Sequence, residues 1–285
     1  MKRVKSIMKI VATNIELNQI ISEYKKQGKR IGFVPTMGAL HQGHLSLVRQ
    51  AKIENDIAVV SVFVNPTQFG PKEDFSKYPR DIDRDARLLE TFATDILFYP
   101  SVAEVYPQKN PVRSLKADVA LTEVACGVAR PGHFDGVVTV VARLFDLVKP
   151  QRAYFGLKDY QQFLVIKRMA AQEKYPIKII GCPIVREPDG LAMSSRNMYL
   201  SSEQRQQALL LSRTLAKAKN YSGTVAELRI FLLNQLAQEP AFRLDYLEIL
   251  DSETLRPMLQ LQHSRTVVLL AGYIGSTRLI DNILL

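Results

Sequence analysis

Apolar positions recur at helical spacing from Ile15 to Tyr24, Gly28 then supplies a stop, and KRIGFVP reads as a short strand. After the loop PTMGALHQGH, the residues Leu45, Val48, Ala51 and Ile53 restore helical spacing, with Gly43 at the mouth of the helix. The pattern then repeats. IAVVSVFV is the near-continuous apolar run expected of a parallel strand covered on both faces. NPTQFGPKEDFSKYPR follows as a long polar loop, DIDRDARLLETFA as a helix and DILFYP as a strand. GHFDGVVTVVARLFDLVKP predicts a long buried helix despite its β-branched run, because it is too long for a strand in this setting. QRAYFG, DYQQFLVIKRMAAQEK and IKIIGCP continue as strand, helix and strand. This alternation predicts an α/β fold, an open parallel sheet flanked by helices through right-handed crossovers.

Beyond Pro183 the texture changes. The loop VREPDGLAMSSRNMYLSSEQ leads to helices over Arg205 to Lys219 and Thr224 to Gln238, then to strands FRLDYLEIL, RTVVLLAGYIG and TRLIDNILL. A boundary near Ile184 divides the chain into a larger domain, 1–183, and a smaller C-terminal α+β domain, 184–285.

Composition narrows the function classes. The 285 residues are 47% hydrophobic and 23% charged, which excludes a disordered tail or a collagen-like fibre. The net charge of +10 fits either nucleic acid or a small anion, but the basic residues are scattered in short pieces such as KKQGKR. No aromatic RNA-binding signature or zinc finger accompanies them, so a nucleic-acid partner is not expected. Lys9, Asn14 and Glu16 interrupt the basic start of the chain before it resembles a secretion signal, and no run of about 18 apolar residues follows. A cytoplasmic protein without a membrane anchor is expected. Cys126 and Cys182, two cysteines far apart, read as reduced packing residues.

The chemistry concentrates in PTMGALHQGHLSLV. Gly38 and Gly43 permit close approach of backbone to ligand, and His41 and His44 fall at a strand-to-helix turn, where unpaired amides attract phosphate. Two histidines three apart also occur as structural pairs. Zinc lacks a third ligand at conventional spacing, so no metal site is expected.

This segment carries the HxGH signature of the superfamily that contains class I aminoacyl-tRNA synthetases and small nucleotidylyltransferases. At greater length, PTMGALHQGH, FVNPTQFGPKEDFSKYPRD, RPGHFDGV, FGLKDYQQ, REPDGLAMSSRN and TRLIDN resemble the pantothenate synthetase (pantoate:beta-alanine ligase) family across essentially the whole chain. The resemblance implies a Rossmann-like catalytic domain with a smaller domain covering it, in a cytoplasmic homodimer. It implies ATP-dependent condensation of pantoate with beta-alanine through a pantoyl adenylate, with ATP as substrate, Mg2+ bound alongside it, and no NAD.

Site roles come from the same resemblance. Met37, Gly38, Ala39, Leu40, His41, Gln42, Gly43 and His44 would line ATP, with His44 at the position of the catalytic acid and His41 as a phosphate contact. Physically, both suit stabilisation of developing phosphoryl charge. Asn65 and Gln68 would meet pantoate, Gln68 also beta-alanine, although Asn65 and Pro66 alone make a good turn. Gly156, Leu157, Lys158 and Asp159 would run along ATP, Lys158 toward the phosphates, with Gln162 toward pantoate. Many family members carry Glu where Leu157 stands, which leaves residue 157 without an assigned role. A Lys-Asp pair by itself reads as solvated surface.

Met193, Ser194, Ser195 and Arg196 correspond to the KMSKS loop of the tRNA-charging relatives, with Arg196 a planar clamp for phosphate and Val185 a neighbour of adenosine. Arg130 would stand near pantoate or phosphate, though it also reads as the entry to a helix that His133 caps. Asp81, Asp83 and Asp85 suit a first helical turn, and one of them is a possible magnesium ligand. The alternatives are another HxGH-type nucleotidylyltransferase and an RNA-binding protein on a synthetase scaffold.

Overall fold

The computed structural model describes residues 8–71, 73 and 75–285. The basic chain start over 1–7, and Lys72 and Asp74 of the long loop, lie outside the described residues. Two compact units divide the chain. The first runs up to Ala117 and includes Gly132–Gly156 and Val165–Cys182; the second comprises Asp118–Pro131, Leu157–Leu164 and Pro183–Leu285.

The elements are, in order, β1 (Lys9–Val11), α1 (Asn14–Lys26), β2 (Ile31–Thr36), α2 (Gln42–Glu54), β3 (Ile57–Val62), α3 (Ile82–Thr91), β4 (Ile96–Phe98) and α4 (Val102–Val105). They continue with α5 (Val119–Thr122), α6 (Ala125–Ala129), α7 (His133–Val148), β5 (Arg152–Gly156), α8 (Tyr160–Gln172) and β6 (Lys178–Cys182). The chain ends with α9 (Ser202–Ala218), α10 (Val225–Leu236), β7 (Phe242–Asp251), β8 (Thr266–Ile274) and β9 (Thr277–Leu284).

In the first unit six parallel strands lie in the order β1-β4-β3-β2-β5-β6. Every residue of β3 is buried, as its unbroken apolar run requires of a strand covered on both faces. Helix α7 is buried along 12 of its 16 residues, and Phe145 on it meets Phe33 of β2 edge to face at 6.4 Å. The order reverses at β2, whose neighbours are β3 and β5, so the loop after β2 opens at the switch point where such sheets take ligands.

The second unit builds its own core. Strands β7, β8 and β9 form an antiparallel sheet, and α9 and α10 cover it with Leu209, Leu215, Leu228 and Leu232 against Val268, Leu270 and Leu279. Helices α9 and α10 both start on reciprocal caps, Ser201 with Gln204 and Thr224 with Glu227, which satisfy amide groups left open by the first turn.

Strand β1 and helices α4 to α6 have no counterpart in the apolar pattern. At three to five residues each they are too short to display a period. One correction concerns the start of α7. Its cap is Gly132, at φ +80°, and His133 is the first helical residue, while Arg130 closes α6. A left-handed cap lets the His133 ring turn inward, where Nδ1 lies 2.9 Å from the Gln68 carbonyl.

Candidate active site

The glycine turn after β2 is held from below by a buried carboxylate. Asp85, on the first turn of α3, is 1% exposed; its Oδ1 accepts the Leu40 amide at 2.8 Å, and the Ala39 amide also donates to it. Burial pushes the Asp85 carboxyl above its ordinary range, against the pull of those two amides and of Arg84. Gly38 has φ +83°, and a Cβ there would come within 2.9 Å of Val62 and 3.0 Å of Asp85 Oδ2. Glycine is therefore required for both conformation and space. The Gly38 amide donates to Thr36 Oγ1 at 3.2 Å, and the Thr36 hydroxyl donates to the Ser61 carbonyl at 2.7 Å, which ties the turn to β3.

The two histidines cap α2 reciprocally. His41 Nδ1 accepts the Gly43 amide at 3.1 Å, and His44 Nδ1 faces the His41 amide at 3.4 Å, with the rings tilted and their centroids 4.1 Å apart. A ring nitrogen that accepts from a backbone N–H carries no proton, so in this geometry the N–H of each ring lies at Nε2. Both residues are half-buried.

Beside this turn, the loop after β3 forms a 3-10 turn over Pro66–Gln68. Asn65 is 1% exposed and fully engaged. Its Nδ2 donates to Gln68 Oε1 at 3.1 Å and to the Gly136 carbonyl at 3.2 Å, and its Oδ1 accepts from Thr67 and, at 2.8 Å, from the Tyr106 hydroxyl. Gly136 of α7 permits this approach, since a Cβ there would run into the Thr67 carbonyl. Gln68 is itself buried, and its Nε2 lies 3.2 Å from Met37 Sδ, a weak acceptor that a stronger one can displace. Thus Met37 through His44, Asn65 and Gln68 are brought together in the first unit. Gly156 ends β5 in the same unit.

The second unit holds Arg130, Leu157 through Asp159, Gln162, Val185 and Met193 through Arg196. Leu157–Asp159 form a 3-10 turn at the head of α8; Lys158 is half-buried, Asp159 exposed and Gln162 half-buried. The segment 185–193 doubles back on itself. Met193 donates its amide to the Val185 carbonyl at 3.0 Å, and Glu187 donates its amide to the Leu191 carbonyl at 2.8 Å. Ser194 then caps the 3-10 turn Ser195–Tyr199 by accepting the Arg196 amide at 3.3 Å. Below this turn Asn197 Nδ2 donates to Glu187 Oε1 at 2.8 Å. Arg205 of α9 joins Glu187 and Asp189, at 2.6 and 2.8 Å.

Sequence reasoning missed Asp85 as the support of the glycine turn, together with Tyr106 and His133. Asp85 was visible as one of three candidate magnesium ligands and as part of an acidic first turn. Asp81 and Asp83 fill that role, Asp81 as the cap that accepts the Arg84 amide. Asp85 alone turns inward.

A parallel α/β sheet with a glycine turn at its switch point is the architecture of α/β enzymes that take their ligands beyond the carboxyl ends of the strands. Residues 9–284 match the family model for pantoate-beta-alanine ligase, and the chain belongs to that family, a family of ligases. It is 50% identical over 282 residues to the pantothenate synthetase of Fervidobacterium nodosum, covering 98% of this chain and 99% of that one. The crystal structure of the Thermus thermophilus pantothenate synthetase superposes with a TM-score of 0.91 at 47% identity, over 97% of this chain and 99% of that one. A pantoate-beta-alanine ligase from Francisella tularensis, crystallised with beta-gamma ATP and beta-alanine, gives a TM-score of 0.80 at 37% identity and covers 98% of each chain.

Proposed function

We propose that this chain joins pantoate to beta-alanine at the expense of ATP, giving pantothenate, AMP and pyrophosphate. The observation that carries the reading is the glycine turn on Asp85, with two histidines that cap the following helix through Nδ1 and a buried Gln68 amide beside it.

A carboxylate does not acylate an amine directly, because oxide is too poor a leaving group. The pantoate carboxylate oxygen therefore attacks the α-phosphorus of ATP, the bond to the bridging oxygen breaks, and pyrophosphate leaves with that electron pair. The beta-alanine amine, deprotonated, then attacks the acyl carbon; the C–O bond to AMP breaks, and one proton is lost from nitrogen. His44 and His41 donate hydrogen bonds from Nε2 as negative charge builds on the phosphoryl oxygens, stabilising the transition state without delivering a full proton. The backbone of Met37 through Leu40 and Gln42 to Gly43 approaches the nucleotide, with Val185 beside adenosine and Met193 at the loop that closes on it. Gly156 through Asp159, Ser194 and Ser195 line the remainder of ATP, and Lys158 and Arg196 carry the polyphosphate.

Gln68 orients pantoate by exchanging its Met37 sulfur contact for a carboxylate or hydroxyl oxygen, and it also contacts beta-alanine. Asn65 serves the same pocket through Gln68, since its own donors are engaged. Gln162 and Arg130 complete the pantoate contacts.

Mg2+ belongs to this proposal as a companion of ATP. Among the described residues no group of three or more His, Cys, Asp or Glu is arranged to hold a metal, and the Asp85 carboxylate already serves two amides. ATP oxygens and water are left as its main ligands, and no step is routed through it. A cytoplasmic homodimer with a catalytic domain over 1–183 and a lid over 184–285 completes the reading. No helix among the described residues is long and apolar enough to cross a membrane.

The test is product identification by mass spectrometry after incubation with ATP, magnesium, pantoate and beta-alanine. Pantothenate, AMP and pyrophosphate are expected in equal amounts, with pyrophosphate release dependent on pantoate. Pyrophosphate release that ignores pantoate, with no amide formed, would assign the chain to another HxGH-type nucleotidylyltransferase.

A further inference from the structure

Near the end of the chain, Asp281 and Asn282 of β9 are both buried, at 4% and 5%, which interrupts the alternation of the strand. Successive residues of a strand face opposite ways, so the pair reaches two different segments of the second unit. Asp281 holds Arg186 in a two-point ion pair, Nη1 to Oδ2 at 2.7 Å and Nη2 to Oδ1 at 3.0 Å, at the root of the segment that leads to Met193–Arg196. Asn282 donates from Nδ2 to two consecutive carbonyls, Leu157 and Lys158, each at 2.8 Å. Asp281 Oδ1 also accepts the Asn282 amide at 2.8 Å, which links the two holds.

From this we infer that Asn282 is a positioning residue for Lys158, fixing the 3-10 turn that carries the lysine by clamping its two carbonyls, with Asp281 as the matching hold on the segment that carries Arg196. The inference rests on the reading of Lys158 as a polyphosphate contact. The physical case lies in what the bonds constrain. A buried amide whose two hydrogens both go to one turn fixes that turn, and a lysine on a long flexible stem gains directional value only when its Cα is fixed. The carbonyls belong to the residue itself and to the one before it, so the clamp acts where the lysine side chain leaves the backbone.

A double-mutant cycle decides the matter, with adenylate formation from ATP plus pantoate measured in single-turnover reactions. Asn282→Ala is expected to slow that step by about 10-fold when Lys158 is present and by less than about 2-fold in a Lys158→Ala background. Attack of beta-alanine on supplied pantoyl adenylate, measured in the same preparation, should change by less than about 2-fold and reports that the protein is folded. The slowing should fall on the rate at saturating ATP more than on the ATP KM. Equal losses in both backgrounds, or equal losses in both half-reactions, would make Asn282 a general structural residue and overturn the inference. Asn282→Ser, with a short donor, should recover part of the rate; if neither variant folds, the residue is structural and the inference fails. A Lys158→Ala enzyme with unimpaired adenylate formation would instead remove the reading of Lys158 itself.

Discussion

The glycine turn of the first unit and the cationic loops of the second are stabilised in opposite ways. Around the glycine turn the supports are short-range or come from the adjoining strand and helix: the Gly38 amide on Thr36 and the caps of His41 and His44 span two or three residues, the Thr36 hydroxyl reaches Ser61 across 25 positions, and Asp85 reaches Leu40 across 45. In the second unit the loops bearing Lys158 and Arg196 are clamped by residues far away in sequence. Asn282 meets Lys158 across 124 positions and Asp281 meets Arg186 across 95. The first arrangement fixes donors in place. The second holds the roots of two loops, so Lys158 and Arg196 are governed through their backbone.

The largest expected effect lies in the fixed region. His44→Ala should lower adenylate formation by about 100-fold or more, since lost transition-state hydrogen bonds cost roughly 3 kcal/mol. Quenched-flow measurement of pantoyl adenylate checks it, and a near-normal burst would remove His44 from the reaction. Arg196→Ala comes next, at about 30-fold, confined to adenylate formation because the amide-forming step contains no departing pyrophosphate. Comparable losses in both steps would mean that the cationic loop is no more specialised than the glycine turn.

Gln68→Ala sharpens the contrast inside the first unit. Its amide bonds to Asn65 and rests on Met37 sulfur, so its removal should weaken pantoate binding by about 10-fold. ATP affinity should stay within about 2-fold by calorimetry. The reverse pattern would place Gln68 in the nucleotide turn. Asp85→Asn follows with a smaller effect. One acceptor for the Ala39 and Leu40 amides becomes an N–H that opposes them, so the ATP KM should rise by roughly 5-fold while pantoate binding is unchanged.

How much of this was legible in the sequence follows the same division. The period of the apolar positions is a local property, and α1, α2, α7, the central strands and the C-terminal hairpin strands all stood out in it. The paired histidines were legible because their chemistry lies within a few residues of Gly38 and Gly43. Asp85 was visible as an acid in a first helical turn, but nothing local says which of three aspartates turns inward. The roles of Asn282 and Asp281 were hidden altogether. TRLIDN reads as the end of a strand, and only the fold reveals that one amide there meets two carbonyls in a turn more than a hundred residues earlier. The short α4 to α6 were lost for a different reason, since a helix of one turn has no period to read.

The smallest effect tests whether polar staples in the second unit are all alike. Asp251, at the end of β7, binds Arg265 at 2.7 Å and accepts from the Thr254 hydroxyl and amide, both at 2.8 Å, and from the Glu253 amide at 3.1 Å. Burial alone would raise its carboxyl pKa, but these donors outweigh it and hold the group down at about 2, against an ordinary 3.8. A depressed acid contributes stability that is fully present above its unfolded value and is lost as pH falls through the folded one. The melting temperature should therefore carry a component from Asp251 that disappears between about pH 4 and pH 2. Asp251→Asn, which keeps one acceptor but cannot titrate, should lower the melting temperature at pH 7 by about 2 °C and flatten that acid limb, because Arg265 is largely in water and its attraction is screened. Adenylate formation at pH 7 should be unaffected, since this staple closes a turn that carries none of the proposed ligand contacts. A loss of adenylate formation as large as that of Asn282→Ala would show that any polar hold in this unit tunes the chemistry, and the distinction between a clamp on Lys158 and an ordinary turn would dissolve.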